Sequence, residues 1–168
     1  MKIAIIGKMC SGKSTIADII KNLNPDYKIY SFGQKVKDVA LDLFDMQEKD
    51  RSLLIKIGGY MRTIDKDVWV NYVMKQIGDN DNCIIDDVRY QNEVDACIKH
   101  GFEFIQLYIP LNIQIERIKV LYPNNYEDHI KNINDNSENN KLIVNNVLLT
   151  IDTSIASIDE ISNMISIV

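Results

Sequence analysis

The sequence predicts an α/β fold with a mainly parallel central sheet and helices on both faces. Two observations carry this. Short apolar runs of strand length alternate along the chain with amphipathic stripes at helical spacing, the rhythm of strands joined by helical crossovers. The chain has 168 residues, 46% of them hydrophobic, which suits one globular domain with a sizeable core. No internal repeat and no linker interrupts it.

Taken in order, Lys2 to Ile6 is a short apolar run and reads as a buried strand. Ile16, Ile19, Ile20 and Leu23 follow at helical spacing. Lys28 to Phe32 forms a second strand, and Val36, Val39, Ala40, Leu43 and Phe44 a second amphipathic stripe. Leu54, Ile57 and Met61 mark a third helix, expected to close near Gly58-Gly59. Val70, Val73, Met74 and Ile77 mark a fourth. Cys83 to Ile85 is a strand run ending on Asp86-Asp87. Val94, Cys97 and Ile98 fit a helix ended by Gly101, and Phe102 to Ile109 a strand stopped by Pro110. Asn112 is the expected cap of a helix through Ile118. Leu142 to Val144 reads as a strand. Ser157 and Glu160 have capping-box spacing ahead of a last helix carrying Ile158, Ile161 and Ile165. One segment breaks the rhythm: Tyr122 to Asn140 is polar and Asn-rich. A loop of that length is either a functional lid or a disordered insertion.

The formal net charge is -5 and no long basic run occurs. This argues against a nucleic-acid coat or an anionic membrane as partner. No apolar run is long enough to span a bilayer, and no signal peptide is visible. Cys10, Cys83 and Cys97 are odd in number and lack metal-ligand spacing, so they read as reduced thiols. A cytoplasmic location is expected, the host's if the protein is viral.

Gly7-Lys8-Met9-Cys10-Ser11-Gly12-Lys13-Ser14 fits the Walker A pattern in full. Its glycines let backbone wrap around phosphate, successive N–H groups point inward, and the following helix presents its positive N-terminus. Lys13 reaches the β- and γ-phosphates in such a loop, and the Ser14 hydroxyl ligates Mg²⁺. With Thr15 next in line, this motif sets the expectation of a P-loop NTPase fold binding ATP and Mg²⁺. Asp86 and Asp87 stand where a Walker B carboxylate holds the metal; either fits, and Asp87 is taken first. The only arginines are Arg51, Arg62, Arg89 and Arg117. Their planar fork suits phosphate, while a surface ion pair is the ordinary alternative for any one of them.

Asp86-Asp87-Val88-Arg89-Tyr90-Gln91-Asn92-Glu93 resembles the DVRF-x-NE signature of the deoxynucleoside monophosphate kinases of phages and other viruses. Three more stretches agree in order. Ser31 to Lys37 is similar to that family's FADPLK segment, Leu54 to Arg62 to its LQ-x-x-GT-x-x-R segment, and Asp65 to Val70 to its DPDVWV segment. The resemblance spans Met1 to about Ile109. It departs at Gln34-Lys35 and Gly59-Tyr60, and the lid segment is poor in arginine.

The resemblance implies a kinase using ATP to phosphorylate a (deoxy)nucleoside monophosphate. Arg62 and Arg89 would hold the acceptor phosphate. Phe32, Lys37, Trp69, Asp87, Asn92 and Glu93 would lie near the acceptor, and Arg117 would clamp the donor phosphates. Residues 32–75 would form the acceptor region and 117–140 the lid, with Asp128-His129 inside it. From the residues alone, Trp69 reads as core and Phe32 as either core or base-stacking. His129 reads as a solvated loop histidine and His100 as a helix C-terminal residue. Three alternatives stay open: a same-fold kinase for phosphomevalonate, one for dephospho-coenzyme A, and a non-catalytic nucleotide-binding protein. A homodimer is compatible with the sequence but not required by it.

Overall fold

Apolar residues alternate between two clusters along each central strand, and this alternation divides the molecule into layers. The structure is a computed structural model that describes residues 1–135, 138 and 141–167. Its sheet has five parallel strands: β1 (Lys2–Ile6), β2 (Lys28–Tyr30), β3 (Cys83–Val88), β4 (Phe102–Tyr108) and β5 (Val147–Asp152). Their spatial order is β2-β3-β1-β4-β5. Ile3, Ile5, Ile84, Ile105 and Ile151 face one side. There they meet Ile16, Ala17 and Ile20 of α1 (Lys13–Leu23) and Ile161 of α8 (Ile158–Ser166). Ala4, Ile6, Ile85 and Phe104 face the other. There they meet Val70, Val73 and Ile77 of α4 (Val68–Ile77) and Val94 and Cys97 of α5 (Gln91–Lys99). Burial on both faces is why these strands read as continuous apolar runs.

A smaller cluster stands beyond the sheet. Val36 and Ala40 of α2 (Gln34–Phe44) pack on Leu54 and Ile57 of α3 (Arg51–Ile64) and on Trp69. Another joins Met9 to Ile118 of α6 (Leu111–Leu121), Ile133, and the partly buried Tyr126 and Ile130 of α7 (Tyr126–Lys131).

Several boundaries differ from the sequence expectations. Helix α3 runs straight through Gly58-Gly59 instead of closing there. Mid-helix glycine costs about 1 kcal/mol relative to alanine, but Gly58 serves packing. A Cβ there would lie 3.1 Å from an Arg62 Nη1, and the Trp69 indole N–H donates to the Gly58 carbonyl at 3.2 Å. Strand β3 continues through both aspartates to Val88. Strand β2 stops at Tyr30, because the next N–H groups go to a side chain on β3 rather than to the sheet. Pro110, not Asn112, caps α6, and its carbonyl accepts the Gln114 N–H at 2.9 Å. The last strand is Val147–Asp152 rather than Leu142 to Val144. Leu142 and Val144 instead pack against the α4–α5 core. The capping box of Ser157 and Glu160 forms as expected.

The Asn-rich segment is ordered over 122–135. The Asn125 amide donates to the Lys49 carbonyl at 2.8 Å, the Asn132 amide donates to the Ser52 hydroxyl at 3.0 Å, and Asp128 accepts the Ser52 N–H at 3.1 Å. Residues 136, 137, 139 and 140 of the expected lid lie outside the described residues. His129 is fully buried, stacked on the Tyr122 ring at 3.8 Å, so the expectation of a solvated histidine is corrected. Burial, reinforced by the Lys49 charge, holds its imidazole below the ordinary range. His100 caps α5, as expected. Among the described residues no helix is long and apolar enough to cross a membrane.

Candidate active site

All five strands point their C-terminal ends to one side, and β1 lies between β3 and β4. A doubly wound sheet offers its ligand crevice at such a place. The loop from Gly7 to Ser14 leaves β1 there and enters α1. Gly7 is required by contact: a Cβ would come within 2.5 Å of Ser11 Oγ and 3.0 Å of Leu107 Cβ. Gly12 is required by conformation, with φ +94°, and Cys10 also has positive φ, 60°. Gln114 and Arg117 of α6 hold the loop from behind. The Gln114 amide donates to the Met9 carbonyl at 2.9 Å. Arg117 donates to the Cys10 carbonyl at 3.3 Å and to Thr153 at the end of β5.

Lys13 Nζ donates to the carbonyls of Gly7 and Lys8 at 2.7 and 2.8 Å. Burial, followed by the Arg89 charge, pushes its ammonium down to about 7. A lysine held this way wants an anion beside it.

The cavity in front of the loop has a volume of about 930 Å³. Of the expected nucleotide and metal residues, Met9, Cys10, Gly12, Lys13, Ser14, Thr15, Asp86, Asp87 and Arg117 line it. Gly7, Lys8 and Ser11 belong to the loop without lining the cavity. Phe32, Lys37, Arg62, Arg89 and Glu93 line the same cavity. Phe32 is 2% exposed in the α4–α5 core, one of the two readings left open for it, and it also lines the cavity. Trp69 and Asn92 are not brought there. Trp69 lies in the α2–α3 core, as its helical stripe implied. Asn92 donates to the Lys66 carbonyl at 3.1 Å and to Asp67 at 2.9 Å, beside a separate, smaller cavity.

Hydrogen bonds separate the two aspartates. The pairing of β3 with β1 shifts register between Ile85 and Val88, and both of these face the same core, so the strand is irregular at Asp86-Asp87. Asp86 accepts a hydrogen bond from the Ser31 hydroxyl and lies 3.5 Å from Ser14 Oγ. Burial and the Asp87 charge raise its carboxyl above the ordinary range. Asp87 accepts the N–H groups of Phe32 and Gly33 at 2.7 and 2.8 Å, which fixes the start of α2. Of the two aspartates taken as metal candidates, Asp86 thus lies beside the Ser14 hydroxyl, while both Asp87 oxygens are engaged by backbone N–H groups. Among the described residues no group of three or more His, Cys, Asp or Glu side chains forms a metal cage. A hydroxyl and one carboxylate opening on an anion cradle nevertheless fit Mg²⁺, which uses one or two protein oxygens with phosphates and water.

Glu93 is 2% exposed. It accepts the N–H groups of Arg89 and Tyr90 at 2.7 and 3.1 Å and pairs with Arg62 at 3.3 Å. Burial, with the Asp87 charge, raises its carboxyl to about 7. The Arg62 guanidinium lies 4.0 Å over the Tyr90 ring, which orients it toward the cavity end.

The sequence reading missed three charged residues here. Arg51 is 8% exposed and Lys49 is half-buried; both line the cavity. Arg51 and Arg62 sit 11 residues apart on α3, close to three full turns, so the spacing placed them on one face. Glu138, isolated in the Asn-rich segment, carried no local signal.

The Gly7–Ser14 loop, the five-stranded parallel sheet and the helices on both faces define a P-loop kinase fold. The chain belongs to the family described as AAA domain, whose profile matches residues 3–142. No curated protein is similar enough to match it. Among solved structures, a shikimate kinase from Aquifex aeolicus is 22% identical with a TM-score of 0.59, covering 99% of this chain and 94% of that one. A gluconokinase from Sinorhizobium meliloti is 12% identical with a TM-score of 0.61, covering 98% and 88%. A shikimate kinase from Bacteroides thetaiotaomicron is 10% identical with a TM-score of 0.57, covering 99% and 94%. At these identities the likeness is one of fold.

The two aspartates can be separated by experiment. Asp86→Asn is expected to raise the Mg²⁺ concentration needed for half-maximal ATP-dependent activity by tenfold or more. Asp87→Asn should leave that requirement within about twofold and instead lower stability by about 1–3 kcal/mol in denaturant unfolding, through weaker N–H bonds at α2. The reverse pattern would return the metal to Asp87.

Proposed function

We propose that the chain transfers the γ-phosphoryl group of ATP to a (deoxy)nucleoside monophosphate, giving the diphosphate and ADP. One observation carries the reading. A single cavity joins the P-loop to an acceptor end that holds Arg62, Arg89, Arg51 and Lys49 together. That much converging positive charge suits an acceptor which is itself a phosphate. The resemblance of the segments around Arg62 and Arg89 to the viral deoxynucleoside monophosphate kinases supports the same acceptor. Residues 32–75 are the acceptor region and 117–140 the lid.

Transfer is in line, from ATP on the loop to an oxygen of the acceptor phosphate, so no protein nucleophile is required. Lys13 leaves the loop carbonyls for the β- and γ-phosphates. Arg117, held by Cys10 and Thr153, stands at the donor side. Asp86 and Ser14 would hold Mg²⁺, which neutralises charge shared between donor phosphates. Arg62 and Arg89 grip the acceptor phosphate, with Glu93 fixing both through its paired oxygens. Phe32 lines the cavity from the core, where an acceptor base would meet an apolar wall. The segment packed over Met9 excludes water, which would otherwise hydrolyse ATP.

The named structural neighbours phosphorylate other small molecules, so the acceptor is tested directly. A coupled ADP-release assay should show activity with at least one of the common nucleoside monophosphates and none with shikimate or gluconate. Arg89→Ala and Arg62→Ala should each lower kcat/KM for the acceptor tenfold or more, from the loss of a charge-assisted contact of about 1.5–3 kcal/mol. ATP affinity should hold in Arg62→Ala. Stimulation by shikimate or gluconate alone would overturn the proposed acceptor.

Lys13 gives a pH dependence. Its free-state value of about 7 must rise when phosphates surround it. Binding then takes up a proton at any pH between the free and bound values. The affinity for MgATP should fall as pH rises above about 7, by up to about tenfold per unit, and Lys13 should add no slope below that. Calorimetry from about pH 6 to about pH 9 reads this, and Lys13→Met should flatten the slope.

A further inference from the structure

The segment after α7 carries one carboxylate that this reaction leaves unused. Glu138 has a fully buried side chain. Its Oε2 accepts the backbone N–H of Met9 at 2.6 Å. Its Oε1 accepts from Arg51 at 2.7 Å and from Arg89. A loop N–H and two guanidinium groups around two oxygens are the donor set of a phosphoryl group. Burial would raise this carboxyl, but Arg89, Arg51, Lys13 and the Met9 N–H together hold it below the ordinary glutamate range.

The donor set distinguishes this arrangement from an ordinary buried ion pair. Arg51, Arg89, Lys13 and Lys49 gather around Glu138, and Asp86, Asp87 and Asp135 act on the same cations from further off. The cations strain against one another: burial and then Arg89 lower both Lys13 and Arg51, while burial, Arg89 and Arg51 lower Lys49. A phosphoryl group offers more acceptor oxygens than a carboxylate, so it can meet both guanidinium groups and the loop N–H at once. Position identifies which group. Lys13 and Ser14 open α1 and face the inner phosphates. Met9 lies at the opposite end of the loop, beside α6 and Ile133. An anion on the Met9 N–H is therefore the terminal phosphoryl, present in ATP and missing from ADP.

We infer that Glu138 is an internal stand-in for the γ-phosphoryl group, filling the transfer point in the empty enzyme, and that Arg51 with Arg89 takes the phosphoryl oxygens when ATP displaces it. This rests on ATP as the donor but not on the identity of the acceptor. Arg51 thereby becomes a phosphoryl-binding residue, and ATP, unlike ADP, must compete with the chain's own carboxylate.

The test is calorimetric binding of MgATP and MgADP, without acceptor, to the wild type, Glu138→Gln and Glu138→Asp. Glu138→Gln should bind MgATP tenfold or more tightly than wild type and MgADP within twofold. Glu138→Asp, whose shorter arm reaches fewer of the three donors, should shift MgATP the same way by a smaller factor, and it serves alone if the glutamine variant fails to fold. Adding Arg51→Ala to either should weaken MgATP at least tenfold and spare MgADP. Unchanged or weaker MgATP binding in folded variants would make Glu138 purely structural. Equal tightening of both nucleotides would place it away from the terminal phosphoryl. Because no acceptor is present, these outcomes are independent of whether nucleoside monophosphates are substrates.

Discussion

Positive charge gathered at the C-terminal ends of the strands is the constraint on which the rest of this structure depends. Lys13, Arg51 and Arg89 are largely removed from water, Lys49 is half-buried, and all four lie close enough to disturb one another. Buried like charges are costly unless paired and hydrogen-bonded. The chain meets that cost locally. Two P-loop carbonyls hold Lys13, the Tyr122 hydroxyl takes Lys49 at 2.9 Å, and Glu138 takes Arg51 and Arg89. Carbonyl, hydroxyl and carboxylate acceptors of the chain itself thus hold the cluster together.

The fold supplies the geometry that makes this cluster possible. Parallel strands deliver the P-loop, both aspartates and Arg89 to one edge from segments far apart in sequence. The end of β3 gives neighbouring aspartates different partners, Asp86 beside Ser14 and Asp87 on the N–H groups that start α2. Helix α3 spans the acceptor end and presents Arg51 at its start and Arg62 near its close. The glycine between them lets Trp69 and Arg62 approach the helix backbone. The Asn-rich segment fits the same plan. Its amides satisfy backbone and hydroxyl groups at 49–52, while Tyr126, Ile130 and Ile133 pack it on Met9 of the P-loop.

What was legible in the sequence follows from how local each signal is. The P-loop is eight consecutive residues whose conformation is set by its own glycines, and the strands announce themselves by burial on both faces. Trp69 read correctly as core because its stripe is local. Asp86 and Asp87 could not be ranked without knowing that β3 runs past them, which depends on pairing with β1. The buried state of His129 arises from Tyr122 and Met9, the latter 120 residues away, and Glu138 meets Arg89 and Arg51 only through tertiary folding. Leu142 to Val144 has the composition of a strand, yet Val147–Asp152 holds the edge of β4. Pairing, not composition, decided between them.

The central claim is that the positive charge at this edge exists to pass a phosphoryl group from one phosphate to another. A single-turnover reaction with γ-labelled ATP, enzyme in excess and a mixture of nucleoside monophosphates, resolved by chromatography, tests it most directly. The account predicts label in a nucleoside diphosphate and little in inorganic phosphate. Label released only as inorganic phosphate, or retained in ATP with every monophosphate present, would contradict it.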